Sequence, residues 1–292
     1  MNANNAIERF LRTEIDILVL DSFIIKGINM SIPRFSYYLE KDKAYEFFDK
    51  NGFCIFNDLV DLKKLTTLRE QIGDVVKMQT GKHLEGFAPE DMTFSNGFDR
   101  GLIELSKKDD KLRERLYDHI QDLPGLYDIS VNPVYQTILK EFGYKIPVIR
   151  TSHIRMDIPH DERFLQPAHQ EIRSIRCDNM LFFINPLVDT PEEKGAIQGA
   201  PGSHKLGPIM PAVKENEPYQ VVPDEKFKDY PLAQLPMVAG ETLFLNMYLV
   251  HKSSKNISDE VRWYCITRTE DMARMPSVDG DDSLVNQYNL KG

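Results

Sequence analysis

Hydrophobic and polar positions change rhythm once along this 292-residue chain. From Lys43 the apolar residues Ala44, Phe47 and Phe48 recur at three- and four-residue spacing, which predicts an amphipathic helix. Asn51-Gly52 supplies its left-handed stop. Phe53-Cys54-Ile55-Phe56 reads as a short strand. Asp61 to Met78 predicts a second helix with Leu62, Leu65, Leu68, Ile72 and Val76 on one face, a stripe that belongs to a core. Leu102 to Phe142 is mostly helical and is interrupted around Asp122-Leu123-Pro124-Gly125. After Gly143 short extended runs alternate with Pro, Gly and Asp: Val148–Met156, Asn179–Ile184, Gly195–Gln198, Glu241–Leu249 and Arg262–Thr269. Many short strands with such punctuation predict a β-sandwich or barrel. The expectation is one α+β unit, helices first and a β-barrel after. Residues 1–40 mix apolar and charged positions and read as an N-terminal extension packed on the body.

Composition adds little to the fold and more to the exclusions. Hydrophobic residues at 41% and charged residues at 28% are ordinary for a globular protein. The formal net charge of −9 leaves no basic excess to neutralise phosphates, so nucleic acid is not an expected partner. Cys54, Cys177 and Cys265 are far apart and form no CxxC pair, as expected of free thiols in a reducing compartment. Charged residues interrupt the N-terminal apolar stretch before it could act as a signal peptide. No apolar run is long enough to span a bilayer. The expectation is a cytoplasmic protein with a small-molecule substrate and no membrane partner.

The chemistry concentrates in four residues. His169-Gln170-Glu171 is followed far downstream by His251, at the end of the apolar strand Thr242–Val250, and then by Arg262. If residues 169–171 are extended, His169 and Glu171 point to the same face and can share one metal. Gln170 then points the other way or lies against a co-substrate. Two imidazoles and a carboxylate suit a mononuclear non-haem iron(II) site with open positions. Zinc is an alternative occupant, but neither a helical HExxH nor a CxxC is present.

The flanking sequence is distinctive. Gly195-Ala196-Ile197-Gln198-Gly199-Ala200-Pro201-Gly202-Ser203-His204 follows the first ligand pair, and Gly240-Glu241-Thr242-Leu243-Phe244 leads into His251-Lys252-Ser253-Ser254. With the opening Phe47–Phe53 segment, this order resembles the phytanoyl-CoA dioxygenase (PhyH) family of iron(II)/2-oxoglutarate oxygenases over about residues 43–270. The resemblance implies a double-stranded β-helix core (jelly-roll or cupin-like, about residues 146–272) within one domain of residues 41–292. It implies His169, Glu171 and His251 as iron ligands, and Arg262 with Ser253 as the clamp for the distal carboxylate of 2-oxoglutarate. A planar guanidinium suits that carboxylate because it donates two parallel hydrogen bonds. Gln170 falls near the co-substrate, and Phe183 at a position where the family often has tryptophan, as a stacking wall.

The implied activity is hydroxylation of a small or carrier-linked organic substrate. It uses iron(II), 2-oxoglutarate, dioxygen and an ascorbate-type reductant, and releases succinate and carbon dioxide. Glu171 stands where the family usually has aspartate. It keeps a carboxylate ligand, which argues against halogenation, and it motivates the alternative of a catalytically inactive binding or sensing protein. One of Arg155, Arg173 and Arg176 is expected to meet an anionic group on the substrate. His204 is expected to shape the mouth of the barrel.

Overall fold

The computed structural model describes residues 32–80, 102–104, 106–109, 111–172, 177–210, 212 and 221–274. Residues 1–31 and 81–100 and both Arg173 and Arg176 lie outside the described residues. The chain forms α+β architecture, with helices in its first half and a sheet core in its second.

Helix α1 spans Tyr37–Asn51, with a kink at Glu40 (φ −134°, ψ 20°) that sets its first turn apart from the run that apolar spacing predicts from Lys43. Its N-cap is Ser36, whose side chain accepts from the Leu39 N–H, satisfying a backbone donor that the helix itself cannot. Gly52 ends it at φ 81°, a conformation open to glycine. A Cβ there would also lie 2.6 Å from the His204 ring, so the position needs glycine twice over. Strand β1 (Arg34–Phe35) precedes α1 and pairs in parallel with β2 (Phe53–Phe56).

Helix α2 (Leu62–Thr80) buries Leu65, Leu68, Ile72 and Val76. The long helical region predicted over 102–142 is divided: residues 102–104 and 106–108 are helical, and α3 (Leu112–Ile120), α4 (Pro124–Ser130) and α5 (Pro133–Glu141) follow as separate helices. Prolines open α4 and α5, where their missing N–H is harmless. The Asn132 side chain caps α5 by accepting from Val134 N, and its amide donates to Leu59 O at 2.7 Å.

The large sheet has the order β1-β2-β7-β4-β9-β3, where β3 is Pro147–Asp157, β4 Met180–Pro186, β7 Thr242–Asn246 and β9 Arg262–Asp271. Every pairing except β1 with β2 is antiparallel. The small sheet has the order β6-β5-β8, built from Ala233–Leu235, Ile197–Gly199 and His251–Lys252. Period-two alternation divides the large sheet. Leu181, Phe183, Phe244, Trp263 and Cys265 belong to one core cluster with the helices. Phe182, Ile184, Leu245, Tyr264 and Ile266 face a pocket that the small sheet also lines, through Ile197, His251 and Lys252.

The predicted strand running to His251 is broken in two. β7 ends at Asn246, whose side-chain oxygen accepts from Tyr248 N at 2.8 Å. The turn carries the chain from the large sheet to the small one, where His251 opens β8. Cys54, Cys177 and Cys265 are buried free thiols. Among the described residues no helix is long and apolar enough to cross a membrane.

Candidate metal centre

A backbone bridge brings the two histidines together. His169 N donates to His251 O at 2.9 Å and His251 N to His169 O at 3.0 Å. This antiparallel pairing sets the imidazoles side by side, with ring centroids 4.2 Å apart. Glu171 is held by its own N–H to Met247 O at 3.1 Å, and alternation returns its carboxylate to the same face. Glu171 Oε1 lies 3.6 Å from His169 Nε2 and 3.9 Å from His251 Nε2. One atom from each of these three residues lies within 4.8 Å of the others.

The imidazoles are turned for metal binding. His169 Nδ1 contacts Pro167 O at 2.8 Å and His251 Nδ1 contacts Leu249 O at 2.9 Å. A carbonyl only accepts, so each Nδ1 carries the proton and each Nε2 presents its lone pair. His169 Nε2 is buried and has no hydrogen-bond partner. An orphaned buried acceptor of this kind fits a cation. Burial, helped by the neighbouring imidazole, pushes His251 down to about 3, so it stays neutral and able to ligate. Burial raises the Glu171 carboxyl, but the Arg268 charge opposes it and the carboxyl lies well below the usual carboxylate range.

Arg262 is 1% exposed and lines the same pocket, on the pocket-facing side of β9. Its Nη2 lies 2.8 Å from Asp157 Oδ2 at the end of β3, directly across the ladder. Asp157 Oδ2 also accepts from Arg155 Nε at 2.8 Å. Burial raises the Asp157 carboxyl, while the two guanidiniums together lower it to a net position below its ordinary value. Arg262 Nη1 reaches Ser254 O at 3.4 Å. A Cβ on Gly195 (φ +81°) would lie 2.7 Å from that Nη1, so glycine leaves room for the guanidinium. Ser253 lines the pocket beside it.

Two expected co-substrate contacts are corrected. Gln170 donates through Nε2 to Tyr248 O at 2.6 Å and to Gly207 O at 2.9 Å, and its Oε1 accepts from Ile209 N at 2.8 Å. It ties loops together on the side away from the triad, as alternation requires. Phe183 points into the helical layer and stacks on Tyr135, with centroids 3.9 Å apart. Its neighbour Phe182 lines the pocket instead, because one residue of offset on a strand crosses the sheet.

Arg155 does line the pocket, where it also donates to Phe164 O at 2.8 Å. His204 lies outside it: its Nε2 contacts Asp49 O at 3.0 Å at the end of α1. Sequence reasoning missed Asp157 and Arg268. Arg268 was readable in principle, since residues 262, 264, 266 and 268 share one face of a strand. It faces the pocket and forks the Glu171 carboxylate, with Nη2 to Oε1 at 3.0 Å and Nε to Oε2 at 3.3 Å.

A 1-deoxypentalenic acid 11-beta-hydroxylase of Streptomyces arenae is 27% identical over 227 residues, covering 75% of this chain and 76% of its own. The phytanoyl-CoA dioxygenase domain-containing protein 1 of Rattus norvegicus is 22% identical over 252 residues, covering 74% and 84%. Among solved structures, AviO1 from Streptomyces viridochromogenes Tue57 aligns at a TM-score of 0.49 and 14% identity, over 82% of this chain and 98% of its own. Residues 48–263 match the phytanoyl-CoA dioxygenase (PhyH) family, and with a two-histidine, one-carboxylate triad inside that span the chain belongs to this family of dioxygenases that use iron(II), 2-oxoglutarate and dioxygen.

Proposed function

We propose that this protein hydroxylates a small or carrier-linked organic substrate, with His169, Glu171 and His251 as the iron ligands. The observation that carries this is the convergence of two lone-pair-bearing Nε2 atoms and one carboxylate oxygen, all from buried or nearly buried side chains. The similarity to a protein named as a hydroxylase supports hydroxylation as the outcome. The two facing sheets are read as the walls of a double-stranded β-helix within a single domain, and residues 33–40, expected in an N-terminal extension, belong to that domain through β1 and the start of α1.

Iron(II), when bound, supplies oxidative decarboxylation of 2-oxoglutarate to succinate and carbon dioxide, coupled to hydroxylation of a C–H bond. The protein's part is to hold and exclude. The backbone carbonyls of Pro167 and Leu249 fix both imidazole tautomers, so no proton must leave before metal binds. Arg262, fixed by Asp157, offers a buried guanidinium for the distal carboxylate of the co-substrate, with Ser253 beside it. Phe182, Ile184, Leu245 and Ile266 form an apolar wall that keeps water from the reacting centre.

The test is substrate-stimulated succinate release across a panel of organic metabolites, with iron(II), ascorbate and 2-oxoglutarate supplied. Release that depends on one compound, yields its hydroxylated form and is lost in His251→Ala supports the reading. Substrate-coupled turnover that survives His251→Ala unaltered would show the iron assignment to be wrong.

A further inference from the structure

Glutamate is an awkward metal ligand. Its carboxylate sits at the end of three rotatable bonds, and burying it in one rotamer loses more conformational freedom than most side chains lose. An unrestrained Glu171 would lose that freedom each time a metal bound. Here it is already restrained, and the restraint comes from a residue no motif singles out.

Arg268 Nη2 donates to Glu171 Oε1 at 3.0 Å and Nε donates to Oε2 at 3.3 Å. This two-point fork fixes both the position and the plane of the carboxylate. The pair is largely removed from water, with side-chain exposures of 17% and 12%. The guanidinium is itself located by two further contacts. Its Nη1 lies 3.0 Å from His153 Nδ1, and Phe182, its cross-strand partner, places a ring 5.5 Å from its carbon. Burial and the adjacent Arg268 charge push His153 down to about 3, so that ring is neutral and its Nδ1 accepts.

The fork leaves room for a metal. A carboxylate has about four lone-pair sites, and Arg268 takes two. Oε1, the oxygen nearest both Nε2 atoms, keeps one site for a cation while still hydrogen-bonded.

We propose that Arg268 is a positioning residue of the metal centre, holding Glu171 in the rotamer that completes the triad before the ion arrives. This rests on the reading of His169, Glu171 and His251 as iron ligands. Arg268 contacts no ligand nitrogen; it acts through Glu171.

The test is anaerobic equilibrium dialysis of the metal-free protein against iron(II), without turnover. Arg268→Gln should bind iron(II) about 10- to 100-fold more weakly, the usual size of the effect when a ligand loses its supporting hydrogen bonds. Arg268→Lys should fall between, because an ammonium keeps the charge and loses the fork. In a Glu171→Asp background, whose shorter carboxylate is drawn back from the fork, Arg268→Gln should weaken binding much less. If Arg268→Gln fails to fold, the Lys variant and His153→Leu, which removes the acceptor of the Arg268 Nη1 without touching Glu171, carry the same comparison.

Iron binding by Arg268→Gln as tight as wild type, or tighter, would overturn the proposal and make Arg268 a competitor of the metal. An equal loss in both backgrounds would also overturn it, since Arg268 would then act elsewhere. Failure of the wild-type protein itself to retain iron(II) would overturn the metal reading and this proposal with it.

Discussion

Replacing Asp157 by alanine tests how the co-substrate end of the pocket is built. Asp157 is 6% exposed and stands between Arg155 and Arg262, the latter 1% exposed. Without it the Arg262 guanidinium keeps, among the described residues, Ser254 O at 3.4 Å and the Tyr264 ring at 5.4 Å. Removing one partner of a buried ion pair leaves an uncompensated interior charge, which costs about 3–5 kcal/mol. At roughly 2–4 °C of Tm per kcal/mol for a domain of this size, Asp157→Ala should lower Tm by about 6–20 °C. The assay is calorimetry on metal-free protein at neutral pH, with 2-oxoglutarate affinity measured alongside, and the same variant should bind 2-oxoglutarate more weakly. The pH dependence has a defined sign. Asp157 titrates below its ordinary value, so its contribution is fully present above the unfolded pKa of about 3.9 and is lost as pH falls through the folded value. The difference between wild type and variant should therefore close in strong acid. A drop in Tm of less than about 2 °C at neutral pH, equivalent to under about 1 kcal/mol, would refute the idea that Asp157 carries the buried charge of Arg262.

Three other outcomes follow from particular contacts. Gly195→Ala places a Cβ 2.7 Å from Arg262 Nη1 and 2.8 Å from Ser254 O at φ +81°, so 2-oxoglutarate KM should rise; an unchanged KM would separate Arg262 from the co-substrate. Tyr135→Phe removes the hydroxyl that donates to Asn185 at 2.9 Å in the buried core. It should destabilise the protein by about 1–3 kcal/mol in urea unfolding while its ring still stacks on Phe183, and a neutral effect would contradict this. His153 is neutral in the fold because its pKa is depressed to about 3. The unfolded chain takes up a proton below about 6.5 that the fold refuses, so stability should fall as pH drops through that window, and His153→Gln should flatten the slope between pH 7 and 5. Identical slopes in the two proteins would count against a buried neutral imidazole.

Much of this site was legible because its rules are local. Alternation along residues 169–171 put His169 and Glu171 on one face and Gln170 on the other, as the triad and the loop-bracing bonds of Gln170 bear out. The Leu65, Leu68, Ile72, Val76 stripe identified a core helix by its own local period, although Leu62, read as part of it, is exposed in the first turn. What was not legible depends on partners distant in sequence. Which face of β4 meets the helices is decided by Tyr135 and its neighbours, and this sent Phe183 into the core and Phe182 into the pocket. The turn ahead of the Glu40 kink in α1 is capped by Ser36, and the break between β7 and β8 turns on the Asn246 side chain closing a turn. Strand alternation could have placed Arg268 on the face of Arg262, but nothing nearby in the sequence reveals that Asp157 meets Arg262 and that Arg268 meets Glu171.

The central claim is that His169, Glu171 and His251 hold iron(II) beside a 2-oxoglutarate bound by Arg262. The most direct measurement is the visible absorption of metal-free protein mixed anaerobically with iron(II) and 2-oxoglutarate. A weak metal-to-ligand charge-transfer band should appear in the wild type, vanish in His251→Ala and require more 2-oxoglutarate in Arg262→Met. Absence of the band in the wild type, with no iron retained after desalting, would contradict the account.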